Sequence, residues 1–172
     1  DIIRGNSDIC KMNLATNTAT RLTKNLAIDT TASYSPDGKY IAFASDRDAG
    51  QQLYIMDADG DNVRRISVEG GAYSTPVWSP DGNLIAFTKI KSGKFHIGVM
   101  SPGGRGEKLL VSAYSAEGPK WSPNGRYIIY SKKRGRFGRK SIPRLYIIDI
   151  TTGFEFEVPT PSSEGATDPD WV

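Results

Sequence analysis

The 172-residue chain contains one cysteine, Cys10, and one histidine, His96. A single cysteine excludes an intrachain disulfide framework and a cysteine-rich zinc site. A single histidine gives any Ser-His-Asp arrangement only one candidate base, and nothing beside it forms a constellation, so His96 reads as a packed or surface residue. Neither a G-x-S-x-G elbow nor a G-x-x-x-x-G-K-[ST] loop is present, and no catalytic residue is assigned. No apolar run approaches the ~18 residues that a membrane-spanning helix needs. No secretory leader is visible, and the opening DIIRGNSDIC reads as the middle of a structural unit. The expectation is a piece of a longer protein.

Acid is missing from one stretch. Residues 131–144 (SKKRGRFGRKSIPR) hold Lys132, Lys133, Arg134, Arg136, Arg139, Lys140 and Arg144 and no carboxylate. The net charge of +3 comes from 22 basic and 19 acidic residues, so without this segment the chain is net acidic. Such a local run reads as a solvated loop, able to meet an anionic surface or an acidic partner patch, and not as a chain built around nucleic acid.

What is abundant is repetition. YSPDGKYIAF at 34–43 returns as WSPDGNLIAF at 78–87 and as WSPNGRYIIY at 121–130. The aromatics Tyr34, Trp78, Trp121 and Trp171 are spaced by 44, 43 and 50 residues, the last interval lengthened by the basic insertion. A period in the forties, with 18 Gly and 10 Pro punctuating short apolar runs, predicts an all-β fold of four-stranded antiparallel propeller blades. The chain divides into the end of one blade (1–28), three complete blades (29–67, 72–112, 116–159) and a terminal first strand (166–172), all one partial propeller domain over 1–172. The second and third strands, such as YIAFAS and QLYIMD, are apolar at nearly every position because blades pack on both faces.

Ser-Pro-Asp-Gly is then a hairpin turn. Pro36, Pro80 and Pro123 preset φ, Asp37, Asp81 and Asn124 suit the next position, and Gly38, Gly82 and Gly125 accept positive φ. The preceding aromatic is expected between blades. Cys10 falls where Tyr54 and Tyr146 fall and is expected as a small packed residue. DADGDN at 57–62 has Asn62 and Val68 where a calcium loop needs Gly and Glu, so it reads as a turn. No cofactor is expected; a structural calcium elsewhere is left open and metal ligands are unassigned. In SDR at 45–47, Asp46 is expected to cap loop amides and Arg47 to pair with an acid.

SPDGKYIAFASDRDAGQQLYIMDADGDNVRRIS, GAYSTPVWSPDGNLIAFTKIKSGKFHIGVM, EGPKWSPNGR and DPDWV together resemble successive blades at the carboxyl end of the TolB propeller family, most of all its alphaproteobacterial members. The resemblance covers essentially the whole chain. It implies a six-bladed parent propeller preceded by an α/β domain, in a soluble, non-enzymatic periplasmic protein of Gram-negative bacteria. It also implies membership of the Tol–Pal system, which supports envelope integrity and cell division. The propeller is implied to bind the lipoprotein Pal, and an amino-terminal segment outside this sequence to contact TolA. Neither membrane insertion nor a nucleic-acid partner is expected.

Strand alternation within blades gathers the loops before each first strand around the channel mouth, where binding residues are held by a rigid scaffold. Carried over by position, the partner-binding rim is Asp29, Thr30, Thr31, Tyr73, Ser74, Thr75, Glu117, Thr167 and Asp168, with Tyr73 expected as an exposed anchor. Two other readings stay open: an accessory propeller of a prolyl-oligopeptidase-like hydrolase, and a structural fragment that self-associates through uncovered blade edges.

Overall fold

The computed structural model describes residues 7–133, 142–161 and 165–171. Among these residues the regular structure is entirely strand. A hairpin of β1 (Cys10–Asn13) and β2 (Thr18–Arg21) leads into three four-stranded sheets. The first blade is β3 (Asp29–Tyr34), β4 (Tyr40–Ser45), β5 (Gln52–Asp57) and β6 (Arg64–Arg65). The second is β7 (Ala72–Trp78), β8 (Ile85–Lys91), β9 (Lys94–Met100) and β10 (Lys108–Ala113). The third is β11 (Ala116–Trp121), β12 (Tyr127–Lys133), β13 (Pro143–Asp149) and β14 (Glu155–Glu157). Every ladder is antiparallel between chain neighbours, the meander of a propeller blade.

The repeated tetrapeptide closes the first hairpin of each blade as expected. Gly38, Gly82 and Gly125 have φ of 71°, 74° and 69°, and their amides donate to Ser35, Ser79 and Ser122 carbonyls at 2.9 Å. The serine has a function the motif alone does not announce. Each is buried; Ser35 Oγ donates to Asp37 Oδ1 at 2.6 Å and accepts from the Tyr40 amide at 2.9 Å. The same pair of bonds recurs at Ser79 and Ser122. One hydroxyl thus satisfies a backbone donor and fixes the Asp or Asn side chain across the turn.

Blades are joined by two buried clusters. Ala42, Leu53, Ile55 and Ile66 of the first blade meet Tyr73, Trp78, Ile85 and Phe87 of the second. Ile97, Val99 and Val111 of the second meet Trp121, Ile128, Tyr130 and Tyr146 of the third. The aromatic before each turn lies in these junctions, Trp78 and Trp121 being 8% exposed. Trp121 Nε1 donates to Val77 O at 3.0 Å, and Trp171 Nε1 to Lys120 O at 3.3 Å. In both, the indole reaches the carbonyl just before the previous blade's aromatic. Tyr34 is 47% exposed, because the hairpin β1–β2 covers only part of its blade's outer face.

Two expectations need correction. Residues 165–171 form no strand: the ladder partner of a first strand is the second strand of its own blade, and no described residue supplies one. Cys10 is exposed, since among the described residues no inner strand lies beside β1. DADGDN is a turn as expected, with Asn62 Nδ2 donating to Asp57 Oδ2 at 2.6 Å. Arg134, Arg136, Arg139 and Lys140 of the basic segment lie outside the described residues, as do 162–164 of the final connecting loop.

Candidate functional site

The first strand of every unit carries an irregularity at the same place. Its register slips by one residue between Thr30 and Ser33, between Ser74 and Val77, and between Glu117 and Lys120. Inside each slip one residue is left-handed: Thr31 (φ 51°), Thr75 (49°) and Gly118 (67°). Asp168 (51°) occupies the same position before Trp171. Glycine accepts this conformation, whereas a β-branched threonine there is a genuine outlier. Such strain costs of order 1–3 kcal/mol and persists only where the surroundings impose it. Its recurrence in all three first strands shows that the architecture imposes it there as a β-bulge, and Asp168 takes the same backbone conformation outside a strand.

The bulge decides which rim residues can meet a partner. Without it, Tyr73 and Trp78, five residues apart, would face opposite sides of the sheet. The extra residue restores the parity, so Tyr73 pairs with Lys89 and Trp78 with Ile85, residues of one face. Tyr73 is consequently 0% exposed, not the exposed anchor expected. Its hydroxyl donates to Glu107 Oε2 at 2.6 Å, and its ring packs on Phe87 at 5.4 Å. Asp29, one repeat earlier, is buried for the same reason. Thr30, Ser74 and Thr75 are half-buried, and Thr31, Glu117, Thr167 and Asp168 are exposed. Thr75 Oγ1 is 2.8 Å from Thr88 Oγ1, tying its loop to β8. The accessible rim is therefore hydroxyl-rich with carboxylates at Glu117 and Asp168, a surface suited to hydrogen bonding an extended chain.

Beneath the rim each junction holds a cation, an acid and aromatic rings. Arg47 Nη2 donates to both Asp29 oxygens at 3.0 and 3.1 Å and lies 5.1 Å over Phe43 and 4.8 Å over Tyr54. Asp46 Oδ1 accepts from the Ile28 amide at 2.7 Å, so both roles expected of the SDR segment are realised. In the second blade Lys89 Nζ donates to Glu107 Oε1 at 2.5 Å and lies 4.5 Å over Tyr73. In the third, Lys132 and the Tyr130 hydroxyl both donate to Glu155, with Lys132 Nζ 4.2 Å over Tyr146. Burial, then the acceptor carboxylate, raises the phenols: Tyr54 beside Asp48 is pushed up to about 12, and Tyr73 and Tyr130 further. The Lys89 and Lys132 clusters were not anticipated. Lysines at 89 and 132 in otherwise apolar second strands were the available signal, because a lysine in a two-faced buried strand requires an acid.

The half-buried His96 pairs with Lys89 and Ser112 across its strands. The rim itself contains neither histidine nor cysteine.

This blade architecture is shared with known proteins. The model of the TolB beta propeller domain matches residues 3–172. The Tol-Pal system protein TolB of Wolbachia sp. subsp. Drosophila simulans (strain wRi) is 44% identical over 123 residues, 70% of this chain and 28% of that protein. That of Gluconobacter oxydans (strain 621H) is 45% identical over 107 residues, 61% and 23% respectively. The crystal structure of TolB from Acinetobacter baumannii superposes with a TM-score of 0.83 at 29% identity, covering 96% of this chain and 40% of that one. The chain thus spans about a quarter of the curated relatives' length. With the family model matching almost from end to end and the blades superposing on a solved member, the chain belongs to the TolB β-propeller family.

Proposed function

We propose that this chain is part of the propeller of a Tol–Pal system protein, acting without catalysis as a periplasmic binding module for the lipoprotein Pal. The observation that carries the reading is the family match over residues 3–172. The relatives' name supports the system, and the repeated bulge supports the place. In this reading the half-buried and exposed rim residues Thr30, Thr31, Ser74, Thr75, Glu117, Thr167 and Asp168 meet a segment of Pal at the channel mouth, while Asp29 and Tyr73 hold the rim from beneath. Contact with TolA belongs to an amino-terminal segment of the longer protein. Support of outer-membrane integrity and cell division follows from the same assembly.

Calorimetric titration with the periplasmic domain of a matching Pal tests it. Saturable binding that weakens about tenfold in the Ser74→Ala, Glu117→Ala double variant is the expected result, each lost hydrogen bond contributing roughly 0.5–1.5 kcal/mol. A folded chain without binding, repeated on the longer parent with the same outcome, overturns the reading.

A second reading is favoured by one observation: Ile28 and Tyr34 at the first blade's free face are 45% and 47% exposed. Apolar faces of that kind drive association, so light scattering of the isolated chain is expected to show oligomers. A monodisperse monomer removes this reading.

A further inference from the structure

At the opposite end of the first strands from the rim, a cavity of about 390 Å³ opens between the first and second blades. That volume lies within the roughly 300–1,000 Å³ range of small-molecule sites. Its floor is Tyr40, Ile55 and Trp78, and its polar groups are Asp37, Asp81 and Arg64. The two aspartates stand on adjacent hairpin turns next to the innermost strands, while Arg64 stands on the outermost strand β6. Three strand spacings separate the acidic end from the basic end, about 14 Å between backbones.

Each group retains unused capacity. Asp37 and Asp81 are held below the ordinary carboxylate range, first by the Ser35 and Ser79 hydroxyls and then by the Lys39 and Asn83 amides. Both are therefore ionised at neutral pH. Lys39 Nζ approaches Asp37 only to 3.7 Å, with both side chains largely exposed. Among the described residues no cation pairs with Asp81. Arg64 Nη2 donates to Pro102 O at 3.1 Å, leaving its other N–H groups to face solvent.

The next junction is built differently. Trp121 donates its indole N–H to Val77 O, but the buried Trp78 Nε1 has no acceptor among the described residues. Leaving such a donor unpaired is unfavourable.

We propose that the cavity binds a short zwitterionic peptide, cationic where it meets Asp37 and Asp81, apolar over Tyr40 and Trp78, and anionic where it meets Arg64. The charge order of the cavity selects this chemistry: an anion alone is repelled by the two carboxylates, and a cation alone leaves the arginine unmatched. A dipeptide with a lysine side chain at one end and a free carboxylate at the other spans the required length. The site is independent of the rim reading, since it shares no residue with it.

The test is calorimetric titration of the 172-residue chain with lysyl-phenylalanine, in parallel with Asp81→Asn, Arg64→Gln and Ser74→Ala. Asparagine already occupies the equivalent turn at Asn124, so Asp81→Asn preserves the hairpin. Saturable binding weakened about threefold to fivefold by each of Asp81→Asn and Arg64→Gln, the range of an exposed ion pair, and unchanged by Ser74→Ala, is the expected result. Absence of saturable binding, binding that either charge variant leaves unchanged, or binding lost with Ser74→Ala overturns the proposal.

Discussion

The two complete blade junctions solve the same problem with different residues. Between the first and second blades, the phenol that serves the buried acid is Tyr73 on first strand β7, and the acid is Glu107. Between the second and third, the phenol is Tyr130 on second strand β12, and the acid is Glu155. Lys89 and Lys132 occupy equivalent places in β8 and β12. Gly98 explains the exchange: a Cβ there would lie 2.6 Å from the Phe87 ring. Phe87 therefore fills the space that Tyr146 takes in the third blade, and the hydroxyl comes from the neighbouring strand instead. A junction thus specifies an acid–phenol–ammonium cluster in space, and the cluster tolerates a change in which strand supplies the phenol.

The sharpest way to break this comparison is to remove the acids. Lys89 is 1% exposed at its side chain and Lys132 15%. Glu107→Ala is expected to lower unfolding stability by roughly 3–5 kcal/mol, because it strands a fully buried ammonium. Glu155→Ala is expected to cost less, since Lys132 can reach water. Urea unfolding of both variants measures the difference, and equal losses would show that burial of the lysine does not set the scale.

Removing the phenol oxygen is milder. Tyr73→Phe keeps the ring against Phe87 but takes one donor from Glu107, an expected loss of about 1–3 kcal/mol. Tyr130→Phe is expected to match it if the two clusters are equivalent. The pH dependence follows from the same groups. Tyr54, Tyr73 and Tyr130 have folded-state values above 10.0, so the unfolded chain loses these protons first. The stabilisation they contribute is complete below pH 10 and falls as pH rises toward and beyond about 12. Alkaline titration monitored by tyrosinate absorbance is expected to show these three phenols ionising only with unfolding. Early, reversible ionisation of every tyrosine would contradict it.

The smallest expected effect concerns the rim. Thr75→Gly relieves a left-handed threonine and is expected to raise stability by up to about 1 kcal/mol, while Gly118→Thr lowers it by a similar amount. Thermal unfolding of the pair tests whether the bulge is imposed by the blades. A destabilised Thr75→Gly would instead assign the larger share to the Thr75–Thr88 contact.

Much of the fold was legible because its signals are local. YIAFAS and QLYIMD become β4 and β5 with the same bounds, since an apolar run ended by a turn tetrapeptide needs no distant information. First strands are less legible: VWSP announces the end of β7, but nothing marks its start at Ala72. The burial of Asp29 and Tyr73 was not legible. Alternation counted back from the aromatic fails across a bulge, and the residue that marks it is glycine only at Gly118.

The sequence by itself determined the period, the antiparallel order within each blade, the hairpin turns and the family, because each rests on residues close together in the chain. The tertiary structure alone decided which rim side chains stay accessible, which acid neutralises each buried cation, and that one junction leaves a cavity where the next leaves none of its indole donors unpaired. Those outcomes depend on the packing of one blade against another, where a one-residue slip in register exchanges the faces of a strand.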